Sequence, residues 1–312
     1  MSKHNGFCNS AETTLRTLAV AIAMIWTGTS ARADHAWPPI PMASPHVAPT
    51  QIVPTQVAAN FTVYLGGVLF IEGGFDARIL RDDYHLSTQM KTTGLAGRFY
   101  PADYQLTSEG RLAAEHIEPR RFYSYTKAEG DERHLTMTYS KARVPHLSAT
   151  PPYSRDDLKE VNPALQLNTQ DPISVLLVPV SGATDPCERT IPVFDGRRRF
   201  NLKLSYQGTK KMTIPDSAEA ARPAKSVNAV VCSIRYEAIA PAEKKRRFTK
   251  MLRQNNDMKV WLAPFDGARV YMPVRFELGT PFGSAVLLLQ NLKEQQVADL
   301  NPDKKRSLAV RN

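Results

Sequence analysis

The chain has 312 residues, with 40 Lys and Arg against 30 Asp and Glu, and a formal net charge of +10. At 42% hydrophobic residues it can bury a sizeable core, and its 16 Gly and 23 Pro are too few for a collagen-like or low-complexity chain. A basic surface suits anionic lipid head groups, acidic glycans or nucleic acid, or carries only solvated charge.

Lys3 and Arg16 precede an apolar run, Leu18–Trp26, and small residues follow to Ala31-Arg32-Ala33. This is the three-part pattern of a cleaved signal peptide over residues 1–33. The run is far shorter than the roughly 20 residues of a spanning helix. Export to the periplasm is therefore expected, with no transmembrane anchor after cleavage. In that compartment nucleic acid is the least suitable partner. Residues 34–59 are rich in proline and show no period, so they read as a linker.

The folded domain is expected over residues 60–293. Phe61–Ile79 reads as strand, bend and strand, with Gly66-Gly67 and Gly73-Gly74 marking curvature or bulges. Tyr84, Leu86, Thr88 and Met90 then alternate as the next strand. Gly94 and Gly97 punctuate an apolar patch from Leu95 to Tyr100. Tyr104–Gly110 and Leu112–Ile117 read as short strands, and Arg121–Thr126 with His134–Tyr139 as a hairpin around Glu129-Gly130-Asp131. Residues 141–169 are loop-like, with Ser154 placed to cap a short helix through Val161. From Asn168 to Val178, Pro172 behind Asp171 or Thr169 favours a short helix over a strand.

An Asp195-Gly196 turn leads into Phe200, Leu202, Leu204 and Tyr206 on one strand face. Val230, Cys232, Ile234 and Tyr236 share a face of a later strand. Residues 241–255 form a basic helix with Phe248, Met251 and Leu252 at helical spacing, suited to packing or to a membrane surface. Lys259–Pro264 and Arg269–Leu278 form a hairpin around Asp266-Gly267, a pair suited to a type I′ turn. Gly283–Lys293 is the last strand, and residues 294–312 form a charged tail.

Three cysteines are present. Cys8 precedes the apolar run, so it is not a lipoprotein cysteine, and it leaves with the signal peptide. Cys187 and Cys232 remain in an oxidising compartment, where one pairing is open to them; a buried pair of free thiols is the alternative. For a bond, their strands must be neighbours, or the Cys187 loop must fold over the inner face of the second strand. No CxxC spacing suggests redox catalysis.

No nucleophile elbow, phosphate loop, dinucleotide fingerprint or zinc-protease motif occurs. His35, His46, His85, His116, His134 and His146 lack metal-ligand spacing. Asp171 and Asp195 read as a helix cap and a turn residue. The expectation is a binding protein with no cofactor rather than an enzyme. Three basic clusters, Arg197–Arg199, Lys244–Arg247 and Lys304–Arg306, could grip phosphate or carboxylate.

Several motifs together resemble a known family. They are Tyr64 with Gly66-Gly67, Thr93-Gly94-Leu95, Gln170-Asp171-Pro172-Ile173-Ser174, Cys187 with Phe194–Phe200, Val231-Cys232, and Trp261 through Pro273-Val274-Arg275. Over residues 60–290 the chain resembles the bacterial domain of unknown function 3108 family, in a form typical of alphaproteobacterial envelope proteins. The resemblance implies an exported, mostly β protein without catalytic residues. Its sheet would be a strongly curved antiparallel half-barrel or open barrel with two or three short helices, similar to periplasmic lipoprotein carriers. A lipid, lipoprotein or other apolar or amphipathic partner on the concave face is the leading expectation. A glycan- or peptidoglycan-binding module using the basic clusters is the alternative.

Overall fold

The structure is a computed structural model that describes residues 55–80, 82–128, 130–140, 144–153, 161–182, 185–216, 224–241, 247–267 and 269–296. The expected signal peptide and charged tail beyond residue 296 lie outside these residues. So do most of the linker and the helix from Ser154, whose expected last residue, Val161, is not helical.

Fourteen strands form one antiparallel sheet: β1 (Thr55–Leu65), β2 (Val68–Leu80), β3 (Asp83–Thr92), β4 (Ala102–Leu112), β5 (Ile117–Ala128), β6 (Asp131–Thr138), β7 (His146–Thr150), β8 (Val178–Pro179), β9 (Arg189–Phe194), β10 (Arg199–Ile214), β11 (Lys225–Ala240), β12 (Lys259–Phe265), β13 (Val270–Thr280) and β14 (Gly283–Gln296). Among the described residues three short helices accompany them: α1 (Gly94–Phe99), α2 (Pro163–Gln166) and α3 (Arg247–Gln254), with a 3₁₀ turn at Ser174–Leu176. The strand order is β7-β6-β5-β4-β3-β2-β1-β14-β13-β12-β11-β10-β9, with β8 paired to β13. Neighbours in the sheet are neighbours in sequence everywhere on this path except at β1–β14.

The alternation that marks half-buried strands sets the inner face. Val57, Ala59, Phe61 and Val63 of β1 are buried, as are Tyr84, Leu86, Thr88 and Met90 of β3. The sheet stays open between β7 and β9. There the β9–β10 turn closes on the other edge: a Cβ on Gly196 would lie 3.0 Å from a Leu147 methyl and 3.1 Å from a Leu135 methyl. The long β10–β11 hairpin folds back at its far end onto β14, where Asn291 donates its N–H to the Pro215 carbonyl and Lys225 pairs with Glu294 at 2.9 Å.

Several local expectations are corrected. The sheet begins at Thr55, inside the expected linker, because Val57 and Ala59 bury against β2 and β14. Leu112–Ile117 is the link between β4 and β5 rather than a strand; only its two ends, Leu112 and Ile117, pair. The stretch read as loop at 141–169 contains β7 and α2. Gly66-Gly67 is a turn, whereas Gly73 and Gly74 pair in regular register within β2. Gly73 is there for space: a Cβ would lie 2.3 Å from the Phe61 ring and 2.6 Å from the Gln89 carbonyl oxygen. Tyr206 is 48% exposed although it keeps register with Leu204, because it lies past Leu204, the last β10 residue that β9 pairs with. Asp266 and Gly267 both have positive φ, as a type I′ turn requires, but at the other Asp-Gly pair only Gly196 does.

Candidate functional site

The segment from Thr169 to Pro179 runs through the barrel. At one end Gln170 adds to the exposed edge of β9, donating its N–H to the Pro192 carbonyl and accepting from Phe194 N. At the other, β8 pairs with Val270 and Tyr271 of β13. Between them Ile173, Ser174 and Leu177 are fully enclosed. An interior strap of backbone must satisfy its own polar groups. Asp171 does this: its Oδ1 accepts from Ile173 N at 3.0 Å and from Ser174 N at 2.9 Å, starting the 3₁₀ turn as the sequence suggested. Its Oδ2 also accepts from Ser108 Oγ on β4 at 2.6 Å, and Ser108 shares a hydrogen bond of 3.0 Å with the Tyr84 hydroxyl. Burial raises the Asp171 pKa above the usual carboxylate range, and the hydrogen bonds oppose that shift. Burial also raises Tyr84, with the Asp171 charge adding to it, so the phenol stays protonated. Asp171 thus pins the strap to the sheet wall.

Beside the strap the barrel interior is hollow. A cavity of about 450 Å³ lies between the inner face of β3–β6 and the β9–β10 turn. Its floor is Met90, Tyr104, Leu106, Phe122 and Leu135, with Pro172 of the strap on one side. Tyr104 is pushed up to about 12 by burial. Arg133, Arg197, Arg198, Asp131, Glu132 and Tyr153 form the mouth. Asp195 binds Arg198 through Oδ2 at 2.8 Å, and Glu132 pairs with Lys127. The guanidinium groups of Arg133 and Arg197 lie 4.8 and 5.2 Å from the Tyr153 ring centroid, which fixes two cations at the entrance. A second cavity, of about 80 Å³, is lined mostly by apolar residues including Phe61, Phe75, Ile173, Leu176, Met272 and Leu287. Met90 lines both spaces.

Cys187 and Cys232 are bonded, with Cα atoms 5.4 Å apart and both residues fully buried. Their strands are not neighbours, since β10 lies between β9 and β11. The segment before β9 instead folds over the inner face. Arg189 anchors the same corner by donating to the Pro179 carbonyl at 2.7 Å.

The Arg197–Arg199 cluster is largely engaged with the protein itself: Arg199 donates to Leu165 O and to Asn201 Oδ1. Residues 244–246 and Lys304–Arg306 lie outside the described residues. His35 and His46 do as well. His134 contacts Tyr123, His116 lies by Glu118, His85 is near Glu109, and His146 is exposed on β7. Among the described residues no three His, Cys, Asp or Glu side chains could share a metal ion. No described helix is long and apolar enough to cross a membrane. The apolar floor of the cavity went unmarked in the sequence, because each of its residues reads as an ordinary inward strand residue, whereas Arg197 and Arg198 at the mouth belong to a cluster that the sequence singled out.

Comparison with known proteins gives the family. The model for "Protein of unknown function (DUF3108)" matches residues 60–290, and the chain belongs to this family. No curated protein matches. Among solved structures, the chain is similar to the "Beta-barrel-like Protein of Domain of Unknown Function DUF1849 from Brucella abortus", at 10% identity and a TM-score of 0.41, over 80% of this chain and 100% of that one.

Proposed function

We propose that this DUF3108 protein is an exported, non-enzymatic envelope protein that holds an anionic amphiphile inside its barrel. The observation that carries the reading is the cavity of about 450 Å³ with an apolar floor and arginines at its mouth. Its size falls in the ordinary range for small-ligand sites. A hydrocarbon tail would lie on Met90, Leu106, Phe122 and Leu135, and an acidic head would meet Arg133 and Arg197. Neutral Tyr104 can donate a hydrogen bond there. The buried disulfide fits an oxidising compartment. The glycan alternative has less support, because a saccharide offers no hydrocarbon to the apolar floor, and Arg198 and Arg199 of the basic cluster are held by Asp195, Leu165 O and Asn201.

Calorimetric titration tests this with three probes of one tail length: dodecanoate, dodecyltrimethylammonium and dodecyl maltoside. Dodecanoate should bind best. Arg133→Gln with Arg197→Gln should weaken it by about tenfold, as loss of charge-assisted contacts would. Failure of all three to bind, or equal binding by all three, would refute the proposal. For export, intact mass of protein taken from the periplasm should show residues 1–33 missing.

A further inference from the structure

The barrel end that holds the cavity mouth also carries exposed apolar side chains. Val68, Leu95, Phe99 and Phe282 are 56%, 68%, 69% and 54% exposed. They sit on three adjoining connections. The β1–β2 turn packs on the β13–β14 turn, with Gly66 donating to Ser284 O at 3.0 Å. A Cβ on Gly66 would fall 2.6 Å from the Phe282 carbonyl oxygen. The start of α1 is tied to β2 by Thr93 N donating to Phe70 O at 3.0 Å. Large apolar side chains grouped on one rim of a basic protein call for a covering partner.

Charge indicates which. Arg98 stands exposed between Leu95 and Phe99 on α1. On the other flank, α3 is held at this end by Asn255, which donates to the Gly279 carbonyl in the hairpin that carries Phe282. Leu252 of α3 is buried, while Lys250 and Arg253 are exposed. The helix therefore spends its apolar side on the barrel and turns cations outward. Exposed Asp103, Asp131, Glu132 and Asp257 keep this end from being uniformly basic, so the apolar tips carry the larger share. We infer that this rim docks on an anionic bilayer surface: Val68, Leu95, Phe99 and Phe282 enter the head-group layer, and Arg98, Lys250 and Arg253 meet lipid phosphates. The inference rests in part on the ligand reading, since docking would set the cavity mouth against the membrane that supplies the amphiphile.

Flotation of the full chain with vesicles tests it, comparing phosphatidylethanolamine/phosphatidylglycerol with phosphatidylcholine. The wild type should float with the anionic vesicles, and the L95S/F99S double variant about tenfold less or weaker still. The apolar run Leu18–Trp26 is present in both chains, so the difference between them is what counts. Wild type that stays unbound, or a variant that floats equally, overturns the inference. A dimer in sedimentation velocity that L95S/F99S dissociates, without flotation, overturns it in favour of a second copy of the chain. Dodecanoate titration without vesicles keeps the two proposals apart: L95S/F99S should still bind it. Dodecanoate binding by a wild type that never floats removes the docking alone. Flotation that depends on Leu95 and Phe99, in a protein that ignores dodecanoate, removes the ligand reading alone.

Discussion

Replacing Asp171 by alanine should unpin the interior strap. The carboxylate accepts from Ile173 N, Ser174 N and Ser108 Oγ. Ser108 keeps its bond to the Tyr84 hydroxyl, so the two buried backbone donors bear the loss. At ~1–3 kcal/mol for each stranded donor, the gross cost is ~2–6 kcal/mol. Relief from burying a charge offsets part of it, and a net loss of about 2–4 kcal/mol is expected. Asp171→Asn should cost far less: Oδ1 keeps both backbone donors, while Nδ2 donates to Ser108, which in turn donates to Tyr84. The pair also separates in pH. Burial raises the folded pKa of Asp171 above its unfolded value. The stabilisation from this group is therefore complete below the unfolded carboxylate value, about 3.9. It is lost as pH rises through the raised folded value, at a slope of up to ~1.4 kcal/mol per pH unit. Asp171→Asn lacks that loss, so the wild type should lose ground to it as pH rises. Urea unfolding with the disulfide intact, followed by tryptophan fluorescence, measures both effects, since Trp261 is buried on β12. An alanine variant within about 0.5 kcal/mol of wild type would refute the pinning role, that being the scatter of an ordinary surface change. A wild-type-minus-Asn difference flat from pH 4 to 8 would refute the charged, buried carboxylate.

Cys187→Ser with Cys232→Ser should lower stability by up to ~4 kcal/mol, from the entropy of a loop of 45 residues; non-reducing peptide mapping and urea midpoints check the bond and its effect. Gly73→Ala should cost about 1–3 kcal/mol or more, because one clash is with the rigid Gln89 carbonyl. Adding Phe61→Leu should recover only the part due to the ring, and thermal melts would show it. Met90→Ala should join the two cavities and shift preference toward longer fatty acids; equal affinities of wild type and variant across a series of fatty acids of increasing chain length would dismiss Met90 as the divider.

Strand-forming stretches were legible wherever one face is buried and the other wet. Arg199–Leu204 and Val230–Tyr236 show this, because side-chain period is local information. The Asp266-Gly267 hairpin was legible for the same reason. The exposure of Tyr206 was not legible, because it depends on where β9 stops covering β10. The β1–β14 pairing and the strap inside the barrel were not legible, since both depend on contacts between distant segments. Asp171 was read as a cap, which it is in effect, but its bond to Ser108 belongs to the tertiary fold. The cavity was hidden most completely. Leu106 and Phe122 have the same sequence pattern whether the space above them is filled or empty.

The β1–β14 junction also bears on how the molecule assembles. Thr55 pairs with Gln296 and Leu65 with Ala285, so the first strand synthesised waits for the last. Until then β1 can satisfy only the side facing β2, and its other row of N–H and C=O groups is an open template for a foreign strand. Such long-range pairing slows folding, because the entropy of closing the chain must be overcome before the contacts form. A chain shortened before Gly283 would lose that partner altogether. The vulnerable species is therefore the incomplete chain with a bare β1 edge, and a holding chaperone that covers Thr55–Leu65 would protect it where one binding the finished barrel would not.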